Sequence, residues 1–174
     1  MPADMKAIIS QAAVRLIQKG NRKRITVKDI VEECHITRQT FYYHFEDVFD
    51  LLDWIIRQDM NALLERTLKQ EPEEALKCFF QFALERKPLF RGGMNSGYRE
   101  ALECILVENL RTYVTSYVDR KHMTIAGVDR DLALSYHVSA IFGILIAFQE
   151  GDDLDETVRQ TFLLLTGQAL FEKR

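Results

Sequence analysis

The sequence predicts an all-α protein. The chain of 174 residues contains only three prolines and eight glycines, so long stretches run without the residues that interrupt helices. Apolar residues recur at intervals of three and four through most of its length, which is typical of amphipathic helices. No segment shows the strict alternation of apolar and polar residues that indicates a half-buried strand. A chain of this length forms one average domain or two small ones.

Two helices are predicted in the first 34 residues. The first helix is predicted between residues 4 and 19, where one side would carry an apolar stripe of Ile8, Ile9, Ala12, Ala13, Leu16 and Ile17. Gly20 follows as the expected stop of this first helix. Thr26 is expected to cap a second helix that ends near Cys34, and Asp29 stands at the position that completes a capping box.

A third helix is predicted from Thr37 to about His44. Only the tripeptide Cys34-His35-Ile36 separates it from the second helix, and two short helices joined by so tight a turn are typical of a helix-turn-helix. Phe41 and Phe45 lie four residues apart, so both are expected on the buried side of this helix.

Longer helices are predicted beyond the third. Glu46 and Asp47 are expected to start the fourth helix, whose apolar residues recur as far as Leu68. Pro72 suits the first turn of a fifth helix, because a proline there costs no helical hydrogen bond. Pro88, with the glycine pair that follows it at 92–93, predicts the end of that helix.

The last third of the chain predicts three more helices. Asn95 or Ser96 is expected to cap the sixth. The seventh is expected over Leu132–Gln149, and a capping-box pattern at 153–156 opens the eighth, which should end near Phe171.

Charge is distributed unevenly along the chain. Residues 1–45 hold eight basic and four acidic side chains, a net charge of +4, whereas residues 46–174 hold fifteen basic and twenty-two acidic side chains, a net charge of −7. This change of net charge near residue 46 predicts a helix-turn-helix domain over 1–46 and a second helical domain over 47–174. A basic first quarter on an acidic body indicates that one end meets a polyanion such as nucleic acid.

Composition also argues against several other classes of protein. The three widely spaced cysteines Cys34, Cys78 and Cys104 suit neither a disulfide framework nor a metal site, and they fit a reducing cytoplasm. No apolar run approaches the roughly 20 residues of a membrane span, and the first residues do not resemble a signal peptide. No glycine-rich phosphate loop or nucleophile–base pair is evident. We therefore expect a cytoplasmic protein that is not an enzyme and has no cofactor, metal or membrane partner.

The outward side of the third helix carries the chemistry of base recognition. Gln39 and Tyr43 are expected to point away from the core, with Thr40 and Tyr42 beside them and Arg38 in the first turn. Arginine pairs with guanine, glutamine with adenine, and a threonine methyl with the methyl of thymine. The alternative is an amphipathic helix whose polar side simply meets water. The predicted DNA-binding residues are Thr26, Lys28, Thr37, Arg38, Gln39, Thr40, Tyr42, Tyr43 and His44.

The run from Ile25 to Phe45 resembles the DNA-binding segment of the TetR family. The resemblance lies in the threonine that starts the second helix, the Asp-Ile within it, the Ile-Thr after the turn, and the closing Phe-Tyr-Tyr-His-Phe. His35 stands where the family usually has glycine, and Val48 stands where it often has a phosphate-contacting lysine. The closing aromatic run, followed by Leu-Leu-Asp-Trp-Ile at 51–55, resembles the branch of dihydroxyacetone kinase operon regulators.

The resemblance implies a homodimer that binds a pseudo-palindromic operator in double-stranded DNA. Its last two helices, Leu132–Gln149 and Leu154–Phe171, would then pair with those of a second copy. Small residues that suit such close packing are Ala140, Gly143, Ala147, Gly167 and Ala169.

The resemblance further implies an effector, either a small molecule or a regulatory protein, bound by the helices after residue 46. Candidate effector contacts are Phe79, Phe82, Phe90, Tyr98, Tyr113, Tyr117, His122 and His137. The remaining alternative is a protein-interaction module whose helix-turn-helix does not read DNA.

Overall fold

A computed structural model describes residues 4–19, 25–94, 99–124 and 127–167, and the side chains of 88–94 are not part of that description. All regular structure in the described residues is α-helical, which confirms the predicted fold class. The helices are α1 (Met5–Gln18), α2 (Val27–Cys34), α3 (Arg38–His44), α4 (Val48–Thr67), α5 (Pro72–Met94), α6 (Arg99–Arg120), α7 (Arg130–Ala147) and α8 (Leu154–Leu165). The predicted stop at Gly20, the caps at Asn95 or Ser96, and the end at Phe171 lie outside the described residues.

Carboxylates placed just before the first turn start several of these helices. Asp153 accepts a hydrogen bond from the backbone N–H of Glu156 at the start of α8, which is one half of the predicted capping box. The Glu156 carboxylate, predicted to supply the other half, accepts hydrogen bonds from Arg159 and Gln160. At the start of α4, the Asp47 carboxylate accepts the N–H groups of Phe49 and Asp50 at 2.7 and 2.9 Å. Asp47 therefore precedes α4 as its cap, and the helix begins at Val48 rather than at residues 46–47 as predicted.

The predicted break at Pro88 is wrong. Helix α5 begins at Pro72, as expected, but continues through Pro88 and the glycine pair to Met94. A proline inside a helix removes one backbone hydrogen bond and strains the preceding turn, and a glycine lowers helix propensity, but neither obliges a long helix to end.

The chain divides into two compact units. The first comprises residues 1–59 and 86–106, and the second comprises residues 60–85 and 107–174. The core of the first unit is built by Ile9, Ala13, Ile30, Val31, Phe41, Phe45 and Leu51, so that α1 to α3 and the start of α4 share one buried cluster.

The second unit has its own core, formed by side chains of α4 to α8. Its buried members are Leu63, Leu64, Cys78, Phe79, Phe80, Leu110, Tyr113, Val138, Ile141 and Val158. Within the described residues, α7 is the one helix long and apolar enough to cross a membrane by length and composition, with a mean hydropathy of 1.3. Helix α7 supplies Val138 and Ile141 to this core, and 22% of its residues are buried.

Candidate nucleic-acid interface

The start of α2 is fixed by a reciprocal capping box. The hydroxyl of Thr26 accepts the backbone N–H of Asp29 at 3.3 Å and donates to the Asp29 carboxylate at 2.7 Å. The same carboxylate accepts the backbone N–H of Thr26 at 3.0 Å. Two amide groups that the helix leaves unpaired are thereby satisfied, as the sequence predicts.

A left-handed residue ends α2 and sets the direction of the turn. His35 has φ 56° and ψ 41°, the conformation that glycine adopts most easily. The N–H of Ile36 then reaches back to the carbonyl of Val31 at 3.0 Å, which closes the helix end in a Schellman-type turn. The histidine therefore adopts the backbone conformation that a glycine would supply at this position.

Helix α3 is anchored by its apolar side. Phe41 and Phe45 are buried completely or almost so, and their ring centroids lie 5.9 Å apart. Trp54 of α4 meets Phe45 edge-on at 6.0 Å, and the ammonium of Lys6 lies 5.1 Å from the centre of the Phe45 ring. At the other end, Thr37 accepts the N–H of Thr40 at 3.1 Å and thereby caps α3.

The opposite side of α3 is open to solvent. Arg38 and Gln39 are exposed, Tyr42 keeps 56% of its surface and Tyr43 keeps 84%. His44 is half-buried and meets the Tyr43 ring edge-on at 4.9 Å. The face predicted to read DNA is therefore accessible, and its contacts with bases and phosphates stay a prediction.

Some of the other predicted DNA-binding residues already form hydrogen bonds within the protein, whereas others are exposed. Thr40 is half-buried, and its hydroxyl shares a hydrogen bond with that of Thr37 at 2.9 Å. The hydroxyl of Thr26 is used in the capping box. Lys28 is exposed and lies 3.8 Å from Glu32, one turn later on the same helix.

A cluster of charges lies between α1 and α2. Both carboxylate oxygens of Glu33 accept hydrogen bonds from the ammonium of Lys19 at 3.1 Å, and the Nε of Arg15 lies 3.4 Å from one of them. The bond from Lys19, and to a lesser degree the neighbouring charge of Arg15, lowers the pKa of Glu33 below its ordinary value. Sequence reasoning did not pair these residues, because 14 and 18 positions separate the partners.

Several of the candidate effector contacts belong to the core of the second unit. The rings of Phe79 and Tyr113 stack at 5.1 Å, and those of Tyr113 and Tyr117 at 6.4 Å. The Tyr113 hydroxyl donates to the hydroxyl of Thr67 at 2.9 Å, and burial raises the pKa of Tyr113 to about 12. Phe82 is partly buried against the same cluster.

Two buried side-chain polar atoms of the second unit have no hydrogen-bond partner among the described residues. They are the hydroxyl of Tyr117 and the amide oxygen of Gln70. Burial also raises the pKa of Tyr117 above its ordinary value. Buried polar groups are normally paired, so each of these two atoms can take a further hydrogen bond.

The candidate histidines behave differently. The two ring nitrogens of His137 lie 2.6 Å from the carbonyl oxygen of Ala133 and 3.1 Å from that of Leu165, so this side chain joins α7 to the end of α8. His122 is exposed in the segment after α6. Tyr98, and the side chain of Phe90, lie outside the described residues.

Comparison with known proteins agrees with this geometry. The family model of bacterial regulatory proteins, tetR family, matches residues 9–53. The chain is 39% identical over 57 residues to the HTH-type dhaKLM operon transcriptional activator DhaS of Lactococcus lactis subsp. lactis (strain IL1403). That match covers 33% of this chain and 30% of the relative. A match with the uncharacterized regulator YxbF of Bacillus subtilis (strain 168) covers 18% of that protein, so the chain spans less than a third of either curated relative.

Solved structures resemble the chain over nearly its whole length. A structure of the dihydroxyacetone kinase operon activator DhaS aligns with a TM-score of 0.64 and 20% identity, covering 95% of this chain and 96% of the other. A TetR transcriptional regulator from Streptococcus agalactiae 2603V aligns with a TM-score of 0.65 and 17% identity, covering 92% of each chain. These likenesses establish the fold, with a helix-turn-helix at its start and a helical region after it.

Proposed function

We propose that this chain, whose residues 9–53 match the family model of bacterial regulatory proteins, tetR family, is a transcriptional regulator that binds a pseudo-palindromic operator as a homodimer. The functional division assigns DNA reading to residues 1–46, and dimerisation and effector control to residues 47–174. The observation that carries the proposal is the outward face of α3, which is polar, aromatic and exposed above two buried phenylalanines. Such a regulator acts in the cytoplasm, where bacterial DNA lies.

The reading face combines base-directed and phosphate-directed groups. Arg38 and Gln39 at the start of α3 are suited to guanine and adenine edges in the major groove, and the methyl group of Thr40 is suited to thymine. The hydroxyls of Tyr42 and Tyr43 are suited to donate to phosphate oxygens. The remaining predicted contributors, in supporting positions, are Thr26, Lys28, Thr37 and His44.

An exposed stripe on α7, apolar except for Ser139 and the hydroxyl of Tyr136, supports the dimer. Leu132, Tyr136, Ser139, Gly143 and Ile146 follow one another at steps of four and three, and all five are exposed. Steps of four and three keep side chains on one side of a helix, which is the pattern of helices that pack along their length. A Cβ added at Gly143 would meet nothing within 4 Å, so this position leaves room for a second helix. We name these five residues the α7 outer stripe and assign it to a second copy of the chain.

The small residues expected at this interface differ in their exposure, and so in how well they suit contact with a second copy. Ala147 is exposed at the end of α7 and Ala140 is half-buried. Gly167 has φ 70° just after α8, so its backbone conformation is a second reason for glycine there. Ala169 lies outside the described residues.

Effector control is assigned to the second unit. The unpartnered hydroxyl of Tyr117, whose ring stacks on that of Tyr113, supports a polar ligand group in this unit. The amide oxygen of Gln70 is a second unpartnered polar atom of the same unit. A small molecule there would act by favouring one of two arrangements of the chain that differ in affinity for DNA. The alternative effector is a regulatory protein that binds this unit and favours one of the same two arrangements.

Substitution of Arg38 tests the proposal. Genomic fragments bound by the wild-type protein are selected, and their affinity is measured by fluorescence anisotropy for Arg38→Ala and for Arg159→Ala, which removes an exposed guanidinium from α8 instead. We expect Arg38→Ala to lose about 1–3 kcal/mol and to relax base preference at one position of each half-site. Arg159→Ala should bind as the wild type does.

The rival class, an interaction module that does not read DNA, makes a different forecast. It predicts that no genomic fragment is selected over random DNA, or that Arg38→Ala and Arg159→Ala weaken binding equally. Either result would overturn the assignment of α3 as a reading helix. Affinity should also fall steeply with salt, because phosphate contacts release counterions.

A further inference from the structure

A groove in the first unit is lined by residues that the proposed DNA contacts do not use. Its volume is about 540 Å³, and every residue that lines it belongs to the first unit. Val14 of α1 with Trp54 and Ile55 of α4 form its apolar surface. Arg15, Asp59 and Arg86 supply its charged groups. The volume lies in the range of pockets that hold small molecules, roughly 300–1,000 Å³.

The apolar wall of the groove is held in place by the core. Trp54 and Ile55 pack against the buried cluster of the first unit, and the Trp54 ring meets the nearly fully buried Phe45 edge-on at 6.0 Å. Trp54 is nevertheless only half-buried, so part of its surface stays accessible. A positioned aromatic surface of this kind favours a flat ligand, since stacking adds to the burial of apolar area.

The charges at the groove favour an anion. Glu33 is already held by the ammonium of Lys19 at 3.1 Å through both oxygens, whereas Arg15 reaches it only through Nε at 3.4 Å. About half of the Arg15 side chain is exposed. The planar guanidinium of Arg15 thus keeps the geometry that binds a carboxylate with two parallel hydrogen bonds.

The second guanidinium is differently placed. Arg86 lies 3.1 Å from the carboxylate of Asp59, and this pair is about one-third exposed. Burial raises the pKa of Asp59, although the charge of Arg86 opposes the change. Arg86 therefore offsets the one acidic group among the lining residues, and Arg15 is the other cation among them.

We propose that this groove binds a small aromatic carboxylate, with the aromatic ring against Trp54 and the carboxylate on Arg15. The site differs from the effector region of the second unit, because none of its lining residues belongs to that unit. Helix α1 and helix α4 both line the groove and both contribute to the core that anchors α3. A bound ligand therefore stabilises the DNA-reading unit by mass action.

The single tryptophan of the chain gives a direct test. The indole N–H of Trp54 yields one cross-peak in a ¹H–¹⁵N correlation spectrum of the full-length protein, and this peak is followed without DNA. Three matched probes are titrated: 2-naphthoate, the neutral 2-naphthylmethanol, and the cationic 2-naphthylmethylamine. We expect 2-naphthoate to shift the peak in a saturable way and to bind roughly tenfold more tightly than the alcohol, because one charge-assisted contact is added.

Two variants distinguish binding in the groove from nonspecific binding of the ligand elsewhere on the protein. Arg15→Gln should weaken 2-naphthoate by roughly tenfold and leave the alcohol unchanged. Arg57→Gln changes an arginine of α4, the helix that carries Trp54, but Arg57 is not among the lining residues, so this variant should change neither affinity. If Arg15→Gln fails to fold, Arg15→Lys replaces it, and a several-fold loss is expected because the planar fork is gone.

Three results would overturn the proposal: no saturable shift with 2-naphthoate, binding of the alcohol or amine as tight as that of the carboxylate, or an unchanged affinity in the Arg15 variant. None of these measurements involves DNA. Failure of this site and failure of the proposed regulator function are therefore distinguishable.

Discussion

The outer sides of α3 and α7 are both exposed, but they differ in chemistry. On α3 the exposed side chains include Arg38, Gln39 and Tyr43, which carry hydrogen-bonding groups. On α7 the outer stripe includes Leu132 and Ile146, which have no polar atom in their side chains. A surface rich in donors and acceptors can exchange water for base edges and phosphates, whereas an exposed apolar stripe gains most by meeting another apolar surface. Exposure of a helix side therefore does not identify its partner by itself. The kind of partner follows from whether the exposed side chains are polar or apolar.

The inner sides of the two helices also differ. Helix α3 has seven residues and is anchored chiefly by Phe41, with Phe45 just beyond its end. Helix α7 has eighteen residues and buries four of them, Ala133, Leu134, Val138 and Ile141. The reading helix therefore depends on few contacts, and loss of one should matter more there than on α7.

The largest expected effect comes from emptying the anchor of α3. Phe41→Ala should destabilise the first unit by about 3–5 kcal/mol, because the side chain is fully buried and its removal leaves a cavity. Unfolding followed by far-ultraviolet circular dichroism in urea measures the loss. Tyr43→Ala removes a similar ring from the exposed side of the same helix and should change stability by less than about 0.5 kcal/mol. Equal losses in the two variants would contradict the assignment of inner and outer sides.

A smaller effect is expected when a charge is placed on the α7 outer stripe. Leu132 is 64% exposed, and burial of each copy of this side chain against a second subunit is worth about 2 kcal/mol. Leu132→Glu should therefore shift the protein from dimer to monomer in sedimentation equilibrium while its helix content stays unchanged.

Met123→Glu is the matched control for Leu132→Glu. It places the same charge on another exposed apolar residue that lies outside the helices. This variant should remain dimeric. If Leu132→Glu also remains dimeric at every concentration, the α7 outer stripe does not hold a second copy. The difference in chemistry between α3 and α7 would then not indicate two different partners.

The parts of the molecule that the sequence predicted are those set by near neighbours along the chain. The capping box of Thr26 and Asp29 spans three positions, and the inward pair Phe41 and Phe45 spans four, so both follow from helix geometry. The resemblance of residues 25–45 to a known family led to the proposed function, because a motif points to a class of partner that helix propensities alone do not.

The parts that the sequence did not predict depend on contacts between distant positions. The hydroxyls of Tyr113 and Thr67 meet across 46 positions, and no local pattern indicates such a pair. The groove likewise brings Arg86 beside residues of α1 and of early α4, which only the tertiary fold determines. The predicted end of α5 at Pro88 was wrong, because one proline lowers the local stability of a helix without obliging it to end.

The smallest expected effect concerns the turn that orients α3. His35 has φ 56°, and a side chain in the left-handed region costs roughly 1 kcal/mol that glycine does not pay. Glycine adds some conformational freedom to the unfolded chain, which offsets part of this gain. His35→Gly should therefore raise the free energy of unfolding by up to about 1 kcal/mol, whereas His35→Ala should bring no gain.

His122 permits the same experiment after α6, where φ is 52°. If both histidines only bear strain, His122→Gly and His35→Gly should stabilise the protein by similar small amounts in urea denaturation. The two turns differ in their position relative to α3, because only His35 leads through Ile36 and Thr37 directly into the reading helix. A freer backbone at His35 should then reduce operator affinity slightly even as stability rises, and His122→Gly should leave affinity unchanged. A loss of affinity in both variants, or in neither, would show that the turn before α3 does not set the position of the reading face.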